Sequence, residues 1–345
     1  MAATIRDVAQ AAGVSPSTVS RALALSPLVT PATRESVLQA ARSLGYEPNR
    51  AARGLVTGRT QNLGLIVPDL ANPFFPGVVK GVQARARETD HAVFVADSDE
   101  DPVAEVRLAR TLSKQVDGII LCSTRMSTEE LRELAAETAV VVMNRRVEGI
   151  AAVTVDNAGA MRQAAIHLAA LAHTRVGYVA VPANSWTNGE RLAALRTATD
   201  DLGIELVEFG NFAPVFGSGV VAADLALAAG TTAVIAYNDL IALGVLSRLD
   251  ARSVAVPEQV SVVGCDGIAI SAMCSPALTT VALPQERAGR AAVDLLTSLL
   301  GVPGRPGAVD VELDAQLVVR ASSGPAPGAE KSDQQRTRTD KGDTT

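Results

Sequence analysis

Residues 4–23 read TIRDVAQAAGVSPSTVSRAL, and this stretch decides the fold of the amino-terminal region. Its first apolar residues recur at the i, i+3, i+4, i+7 spacing of one helix face. Asp7 stands three residues after Thr4, which is the spacing of a capping box at a helix start. Gly13 then supplies a tight turn, and the Ser-Pro pair that follows begins a second helix as N-cap and first helical residue. Two short helices joined by a glycine turn predict a helix-turn-helix.

A third helix completes this amino-terminal unit. Thr30 and Pro31 repeat the cap-then-proline start, apolar residues recur at helical spacing through Leu44, and Gly45 ends the helix. The second helix of a helix-turn-helix enters the major groove of DNA with its N-terminus first. The residues of the unit that we predict to contact DNA are Ser15, Pro16, Ser17, Thr18, Ser20, Arg21, Thr30 and Thr33.

Among these residues, Arg21 has the chemistry to read a guanine through two hydrogen bonds. Ser15 and Thr18 suit phosphate contacts, which position a protein on DNA without specifying sequence.

The distribution of charge agrees with this interpretation. Residues 1–60 hold seven arginines and three acidic residues, whereas the whole chain has a formal net charge of −6, so the remainder carries −10. A basic head on an acidic body is typical of a nucleic-acid module joined to another domain. The alternative is a surface helix with ordinary polar residues.

The remainder of the chain alternates apolar strands with amphipathic helices. This alternation predicts parallel β-sheet with right-handed crossovers, and therefore an α/β fold. A faint internal repeat is also present. The strand at 63–67, with its polar turn and long helix, parallels the strand at 178–181 with its own turn and helix.

Open parallel sheets bind ligands outside the carboxyl ends of their strands. At least four of the ten Phe, Trp and Tyr residues of the chain fall in the turns expected there. Aromatic faces combined with a few Asp, Asn and Arg groups suit a polyhydroxylated ligand. The residues in these turns that could contact it are Asp69, Asn72, Phe74, Phe75, Ser185, Trp186, Thr187, Arg191, Phe212, Phe216, Asn238, Asp239 and Asp266.

Several neighbouring residues in these turns have simpler explanations. Phe75 and Phe216 suit core or loop packing, and Asp239 suits a helix cap. Arg145 and Arg146 could reach the ligand or extend into solvent.

Other classes of protein lack their signatures in this sequence. No apolar run approaches the roughly 18–20 residues of a membrane span, and the N-terminus does not read as a signal peptide, so we expect a cytoplasmic location. Cys122, Cys265 and Cys274 form no C-x-x-C pair, which argues against a disulfide framework or a zinc site. Dinucleotide, Walker A, zinc-protease and nucleophile-elbow motifs are missing, so we predict neither an enzyme nor a cofactor.

The stretch 4–23, together with GYEPNRAARGL at residues 45–55, resembles the lactose/galactose repressor (LacI/GalR) family of bacterial regulators. The resemblance continues to about residue 320. It implies a hinge helix over residues 49–56 that becomes ordered when two subunits meet on an operator. A wedge of Leu55 into the minor groove would bend the duplex, and the additional surface that bent DNA presents to the protein would offset that cost.

Further hinge residues follow from the same resemblance. Ala52 would let two hinge helices approach closely, and Asn49 and Arg50 would add DNA contacts. Gly54 stands where a strong helix former would be expected, so the intrinsic helical order of the hinge should be low.

The resemblance also implies a body of two similar lobes that face each other across a cleft. The effector positions of the family match Phe74, Arg191, Phe212, Asn238 and Asp266, whereas Asp69, Ser185 and Trp186 match in place more than in role. The predicted domains are a helix-turn-helix head (1–48), a hinge and linker (49–60), an effector-binding and dimerisation domain (61–320; lobe one 61–156 and 285–312, lobe two 157–284 and 313–320) and a disordered tail (321–345).

The tail has no Leu, Ile, Val, Phe or Met, so we predict that it is disordered. It also has no apolar heptads that could form a coiled coil between dimers, so we predict a homodimer rather than a tetramer.

The predicted function is that of a transcriptional regulator, a repressor, which binds a pseudo-palindromic operator in double-stranded DNA. A small molecule, of which a carbohydrate is the expected class, would switch its operator affinity through closure of the lobes. Two alternatives stay open: a sugar-binding protein, and an α/β enzyme with an appended DNA-binding head.

Overall fold

The computed structural model describes residues 3–23, 26, 28–46, 59–301 and 309–329. The chain divides into two compact units, Met1–Gln61 and Asn62–Thr345. None of the helices in the described ranges is both long and apolar enough to cross a membrane.

The amino-terminal unit contains α1 (Ile5–Ala11), α2 (Pro16–Leu23) and α3 (Pro31–Ser43). The capping box at Thr4 and Asp7 is present, and the Thr30 side chain caps α3. Gly13 has a φ of 67°, the left-handed conformation that glycine adopts without a steric cost. The three helices share a small core of Val8, Ala9, Val19, Ala22, Val29, Val37, Ala40 and Ala41. The predicted helix-turn-helix is therefore confirmed.

Lobe one has a six-stranded sheet with the order β11-β5-β4-β3-β1-β2. All of its strand pairs are parallel. Its elements are β1 (Asn62–Val67), α4 (Phe74–Glu88), β2 (Ala92–Asp97), α5 (Pro102–Leu112), β3 (Gly118–Cys122), α6 (Thr128–Glu137), β4 (Ala139–Met143), β5 (Ala151–Val155), α12 (Gln285–Gly301) and β11 (Asp310–Leu313).

Lobe two has a second six-stranded sheet with the order β12-β10-β9-β8-β6-β7. Only β12 runs antiparallel to its neighbour among the strand pairs described. Its elements are α7 (Asn157–Ala170), β6 (Arg175–Val179), α8 (Trp186–Leu202), β7 (Glu205–Phe209), α9 (Phe216–Ala228), β8 (Ala233–Ala236), α10 (Asp239–Ala251), β9 (Ser261–Asp266), α11 (Ile270–Met273), β10 (Thr279–Ala282) and β12 (Gln316–Val318).

The two sheets repeat one topology, because β6 to β10 follow the same spatial order as β1 to β5. The repeat predicted from the sequence therefore corresponds to two similar lobes. The chain crosses between them at 156–157, at 283–285 and at 314–315. In each lobe the first strand is where the strand order reverses, and ligand clefts form at such switch points.

The end of the body departs from the sequence prediction in one respect. The sequence prediction assigned residues 313–320 to lobe two as one segment, but the structure divides this region between two strands. Leu313 ends β11 in the sheet of lobe one, and β12 begins at Gln316 in lobe two. The prediction missed this division because two three- to four-residue strands joined by a short crossover look like one strand in sequence.

The prediction of a disordered tail from residue 321 is wrong for residues 321–329. Ser322 is fully buried. Its hydroxyl donates to the Val262 carbonyl oxygen at 2.6 Å and accepts from the Thr279 amide at 2.8 Å. Main-chain and hydroxyl hydrogen bonds hold this segment in place, although it has no large apolar side chains. A prediction of disorder from composition alone does not detect such bonds. Residues 330–345 lie outside the described residues.

Candidate functional site

The exposed face of α2 carries most of the predicted DNA contacts of the head. Val19 and Ala22 are buried on its opposite face, whereas Ser17 and Arg21 are exposed and Ser20 is half-buried. This division follows from the helical period, which separates the core-facing and outward-facing residues of α2. The side chain of Arg21 is thus free of the core.

The hydroxyl groups at the two helix starts have structural partners as well. Ser15 Oγ accepts from the Thr18 amide at 3.1 Å and lies 2.7 Å from Ser17 Oγ. At the start of α3, Thr30 Oγ1 accepts from the Thr33 amide at 3.3 Å, and the two hydroxyls are 2.9 Å apart. These residues cap the helices at whose starts they lie. Asn49, Arg50, Ala52 and Leu55 lie outside the described residues.

A cleft between the two lobes opens at the carboxyl ends of both sheets. Residues of both lobes line it, and Ser123, Asn144, Tyr237 and Leu283 each directly follow a strand. The lining residues are Asn72, Phe74, Phe75, Glu100, Ser123, Arg125 and Asn144 of lobe one, Thr187, Arg191, Pro214, Tyr237, Asn238 and Asp266 of lobe two, and Leu283 at a crossover.

A larger groove lies between α5 and α6 of lobe one. Its floor is apolar, and its polar lining consists of exposed or half-buried charges such as Arg110 and Glu133, which pair with each other. None of the side chains that line it is both polar and buried. The cleft between the lobes, which has buried charges and amides, is therefore the candidate site.

Arg191 is the central cation of lobe two. Ser185 caps α8, so Thr187 and Arg191 fall one turn apart on the helix face that meets the cleft. The guanidinium is almost completely buried; its Nε donates to Asn157 Oδ1 at 3.1 Å, and its Nη1 donates to the Tyr237 carbonyl oxygen at 2.7 Å. It also lies over the Tyr237 ring, 5.0 Å from the centroid. These contacts hold it in one orientation toward the cleft.

Asp266, the last residue of β9, is the acid that accompanies Arg191. Its φ of 131° lies in a region that non-glycine residues rarely adopt. Its main-chain oxygen accepts from the Leu283 amide at 3.2 Å and from Gln285 Nε2 at 3.0 Å, which holds the unusual conformation. No described residue donates a hydrogen bond to its carboxylate. Burial raises the pKa of Asp266 well above its usual range, although Arg191 opposes this shift.

Lobe one contributes a second pair of opposite charges. Arg125 Nε donates to Glu100 Oε2 at 2.9 Å, and its Nη1 donates to the Ser123 carbonyl oxygen at 3.1 Å. The Arg125 amide is held by Glu105 Oε2 at 2.8 Å. Burial raises the pKa of Glu100, and the ion pair with Arg125 opposes the shift. The cleft thus presents one acid and one arginine from each lobe.

Four of the eight residues predicted to contact a ligand line the cleft: Phe74, Arg191, Asn238 and Asp266. Asn238 also caps α10, because its Oδ1 accepts from the Ile241 amide at 2.9 Å and its Nδ2 donates to the Pro214 carbonyl oxygen at 3.0 Å. Half of its hydrogen-bonding capacity is therefore already used.

The other four predicted residues do not line the cleft. Asp69 accepts from the Ala71 amide at 2.7 Å and shapes its own turn. Ser185 is the cap of α8, and Trp186 follows it outside the lining. Phe212 packs against the core of lobe two.

The helix-cap explanation does not hold for Asp239, because Asn238 caps α10. Asp239 is fully buried and accepts from Thr280 Oγ1 at 2.6 Å and Ser271 Oγ at 2.7 Å, so it joins the ends of β9, β10 and α11. Arg145 and Arg146 do not line the cleft. Phe75, in contrast, does line it and packs edge-on against Phe74 with ring centroids 5.2 Å apart.

Several lining residues of both lobes were not predicted from the sequence. Glu100, Ser123, Arg125 and Asn144 follow β2, β3 and β4, and Tyr237 follows β8. Their positions after strands carry the signal of a ligand cleft in an open parallel sheet. Leu283, which directly follows β10, carries the same signal, whereas Pro214 lies five residues after the end of β7.

Comparison with known proteins agrees with this architecture. The family model described as bacterial regulatory proteins, lacI family, matches residues 4–49, and that described as periplasmic binding protein-like domain matches residues 165–323. The HTH-type transcriptional repressor CytR of Escherichia coli (strain K12) is 32% identical over 335 residues, which cover 94% of this chain and 98% of the relative.

Two solved structures share the fold of the whole chain. One is a complex of the transcriptional regulator CelR with cellobiose, with a TM-score of 0.69, 32% identity, and coverage of 93% of this chain and 100% of that chain. The other is the lac repressor dimer bound to operator and the anti-inducer ONPF, with a TM-score of 0.82, 26% identity, and coverage of 94% and 100%.

Proposed function

The chain belongs to the LacI family of bacterial regulatory proteins and is a DNA-binding transcriptional regulator, and from this premise we propose that it is a repressor controlled by a sugar bound between its lobes. The carrying observation is the cleft, where Asp266 and Arg191 face an empty volume beside the aromatic Phe74. A carboxylate and a guanidinium that line the same cleft can each hydrogen-bond to hydroxyl groups of a sugar. The similarity to a regulator complexed with cellobiose supports a sugar as ligand.

The lining of the cleft offers both hydrogen-bond donors and acceptors, as hydroxyl groups require. Asp266 has a free carboxylate, and the Nη2 of Arg191 has no acceptor among the described residues. In lobe one, Ser123 Oγ accepts from Asn144 Nδ2 at 3.0 Å and keeps its own proton to donate. Each sugar hydroxyl can donate to one such group and accept from another.

On the DNA side, α2 lies in the major groove of each half-site in this proposal. Arg21 reads a base, Ser17 and Ser20 contact base edges, and the starts of α2 and α3 position the head on phosphates. In the hinge, Leu55 and Ala52 act at the centre of the operator, flanked by Asn49 and Arg50. The ligand acts by closing the lobes, which changes the separation of two hinge segments.

The regulator acts as a homodimer in this proposal. Exposed apolar side chains on a folded domain mark interaction surfaces when they cluster. In lobe two, α9 exposes Val221 and Leu225 one turn apart, and α11 exposes Ile270 and Met273. Two copies related by a two-fold axis match the symmetry of a pseudo-palindromic operator.

The first experiment is a selection of bound sequences from a random DNA pool, at fixed salt, with and without a pool of sugars. We expect a pseudo-palindromic consensus whose recovery changes when one sugar is present. If no sequence is enriched under either condition, the head is not a specific reader. If a consensus is enriched but no sugar changes its recovery, the control by a sugar is wrong and the DNA-binding role stands.

A further inference from the structure

Asp266 needs support from its surroundings, because its backbone has an unfavourable conformation. Its φ of 131° is followed by a φ of 71° at Gly267, and a non-glycine residue keeps such a conformation only where neighbouring groups hold it. Asp266 lines the cleft, so this conformation also determines where its side chain lies relative to a ligand. The groups that hold the backbone of Asp266 therefore bear on ligand binding.

Two donors from the crossover at 283–285 hold the main-chain oxygen of Asp266. The Leu283 amide donates to it at 3.2 Å, and Gln285 Nε2 donates to it at 3.0 Å. Leu283 lies between the two lobes along the chain, whereas Gln285 is the first residue of α12 in lobe one. The side-chain amide of Gln285 thus connects a helix of lobe one to the acid that lobe two presents to the cleft.

The position of Gln285 is fixed by close packing between α4 and α12. A Cβ atom at Gly77 would overlap Gln285 Oε1, and a Cβ atom at Gly81 would overlap the main-chain oxygen of Glu286. These two glycines of α4 therefore let the helices approach and leave room for the Gln285 amide. Because α4 begins at Phe74, which lines the cleft, the same packing relates the aromatic wall of lobe one to Gln285.

We propose that Gln285 is a positioning residue, which sets Asp266 against Phe74 across the cleft and thereby sets the affinity for ligand; this inference rests on the proposed function. Gln285 is not among the described residues that line the cleft. Loss of its amide therefore changes ligand binding through Asp266 and not through a contact of its own. The loss of one such hydrogen bond corresponds to about a fivefold change in affinity.

Ligand binding is measured by calorimetric titration of the full chain with glucose, galactose, ribose and cellobiose. For each of these sugars that the native chain binds, we expect Gln285→Ala to raise the dissociation constant about fivefold. Gly77→Ala should have the same effect, because its methyl group displaces the Gln285 amide. The double variant should bind no more weakly than either single variant, whereas two independent losses would multiply to about 25-fold. An unchanged dissociation constant in Gln285→Ala, or multiplied effects in the double variant, overturns the inference.

Gln163→Ala is the matched control. The Gln163 side chain also bonds to main-chain groups at a crossover: its Nε2 donates to the Ala315 oxygen at 3.1 Å, and its Oε1 accepts from the Leu317 amide at 2.9 Å. Gln163 does not line the cleft, so its loss should leave the dissociation constant within about twofold of the native value. Equal weakening by Gln163→Ala and Gln285→Ala would assign the effect to the crossovers in general and overturn the inference.

A second arm of the test needs no ligand and separates this inference from the proposed function. In the free protein, hydrogen–deuterium exchange of the Leu283 amide reports how firmly the Asp266 oxygen is held. Gln285→Ala and Gly77→Ala should each speed this exchange at least about threefold, and Gln163→Ala should not. Unchanged exchange overturns the inference even where sugars bind. If no sugar binds the native chain, the proposed control by a sugar fails, and the exchange alone decides whether Gln285 holds Asp266.

Discussion

The hydroxyl of Thr187 donates a hydrogen bond of 3.0 Å to the main-chain oxygen of Asn144 and thereby joins the two lobes across the cleft. Thr187 is buried in the first turn of α8, and Asn144 follows β4 with a φ of 59°. Thr187 and Arg191 lie one turn apart on α8. The contact that joins the lobes is therefore next to Arg191, which we propose to bind the ligand.

The Thr187 contact should stabilise the closed arrangement of the lobes. Thr187→Val keeps the side-chain shape but removes the donor, which costs about 1 kcal/mol for a typical hydrogen bond. We expect the dissociation constant of the identified ligand to rise about fivefold, measured by calorimetry, with operator affinity of the free protein little changed. Thr197→Val is the control, because the Thr197 hydroxyl bonds only within α8, to the Ala193 carbonyl oxygen. Equal effects of both substitutions would refute a role in closure.

Arg21 should read a base rather than the DNA backbone. Arg21→Ala is expected to cost about 1–3 kcal/mol at the selected operator and to change affinity for random DNA only slightly. Fluorescence anisotropy at one salt concentration measures both affinities. Arg42→Ala removes an exposed arginine of α3 and serves as the control. Equal weakening on both kinds of DNA would assign Arg21 to phosphate.

Asp266 should be needed for the response to ligand and not for DNA binding. In Asp266→Ala the free carboxylate is lost, so we expect no ligand-dependent change in operator occupancy at ligand concentrations that saturate the native chain. The operator affinity of the ligand-free protein should stay within about threefold of the native value, since the head is a separate unit. A variant that fails to melt cooperatively would instead indicate a structural role for this residue.

The stability of the body should fall as the pH falls below about 6.5, the usual histidine value. His173 is buried, with Nδ1 2.9 Å from Thr232 Oγ1 and Nε2 3.0 Å from the Gly324 carbonyl oxygen. Burial lowers the pKa of His173, and the neighbouring His167 lowers it further. Because the folded chain then takes up a proton less readily than the unfolded chain, acid favours unfolding.

Melting temperatures recorded from pH 8 to pH 5.5 measure this effect. We expect His173→Gln to lower the melting temperature at pH 8 and to flatten the slope below pH 6.5. His91→Gln is the control, because the partly exposed His91 precedes β2 and lies outside this network. An unchanged slope in His173→Gln would contradict the assignment.

The segment 321–329 should contribute to folding. Truncation after Arg320 removes the buried Ser322 and the carbonyl group of Gly324 that His173 contacts. We expect a loss of at least about 2 kcal/mol in the free energy of unfolding, from several buried hydrogen bonds left without partners. Truncation after Ala329 is the matched control, and chemical denaturation compares the two. Equal stability of the two truncated chains would mean that the segment is dispensable.

The features that could be predicted from the sequence are those encoded by near neighbours along the chain. The helix starts at Thr4, at Ser15 and at Thr30 were recognised because a cap and the amide groups that it satisfies lie within one helical turn. The α/β alternation was recognised for the same reason, since strand and helix periods repeat over a few residues. Phe74, Arg191 and Asp266 were found because each lies near the end of an apolar strand or one turn into the helix that follows.

The features that the sequence did not reveal depend on residues far apart in the chain. Asn238 has the same amide in any fold, but its capping of α10 and its bond to Pro214 limit what it can offer a ligand. From the sequence alone, Arg125 would be expected to bind an anion, but in the fold it forms an ion pair with Glu100. Neither pairing has a local signature.

The sequence by itself therefore determined the helix-turn-helix, the alternating body and the chemical types of residue at the ends of the strands. Capping, helical period and strand period are properties of adjacent residues, so they are readable without a structure. Only the tertiary structure decided which strand ends meet across the cleft, which polar groups are already satisfied, and that Ser322 is buried. The crossovers near residues 156, 284 and 314 bring these distant segments together, and hydrogen bonding in three dimensions then determines which groups remain for a ligand.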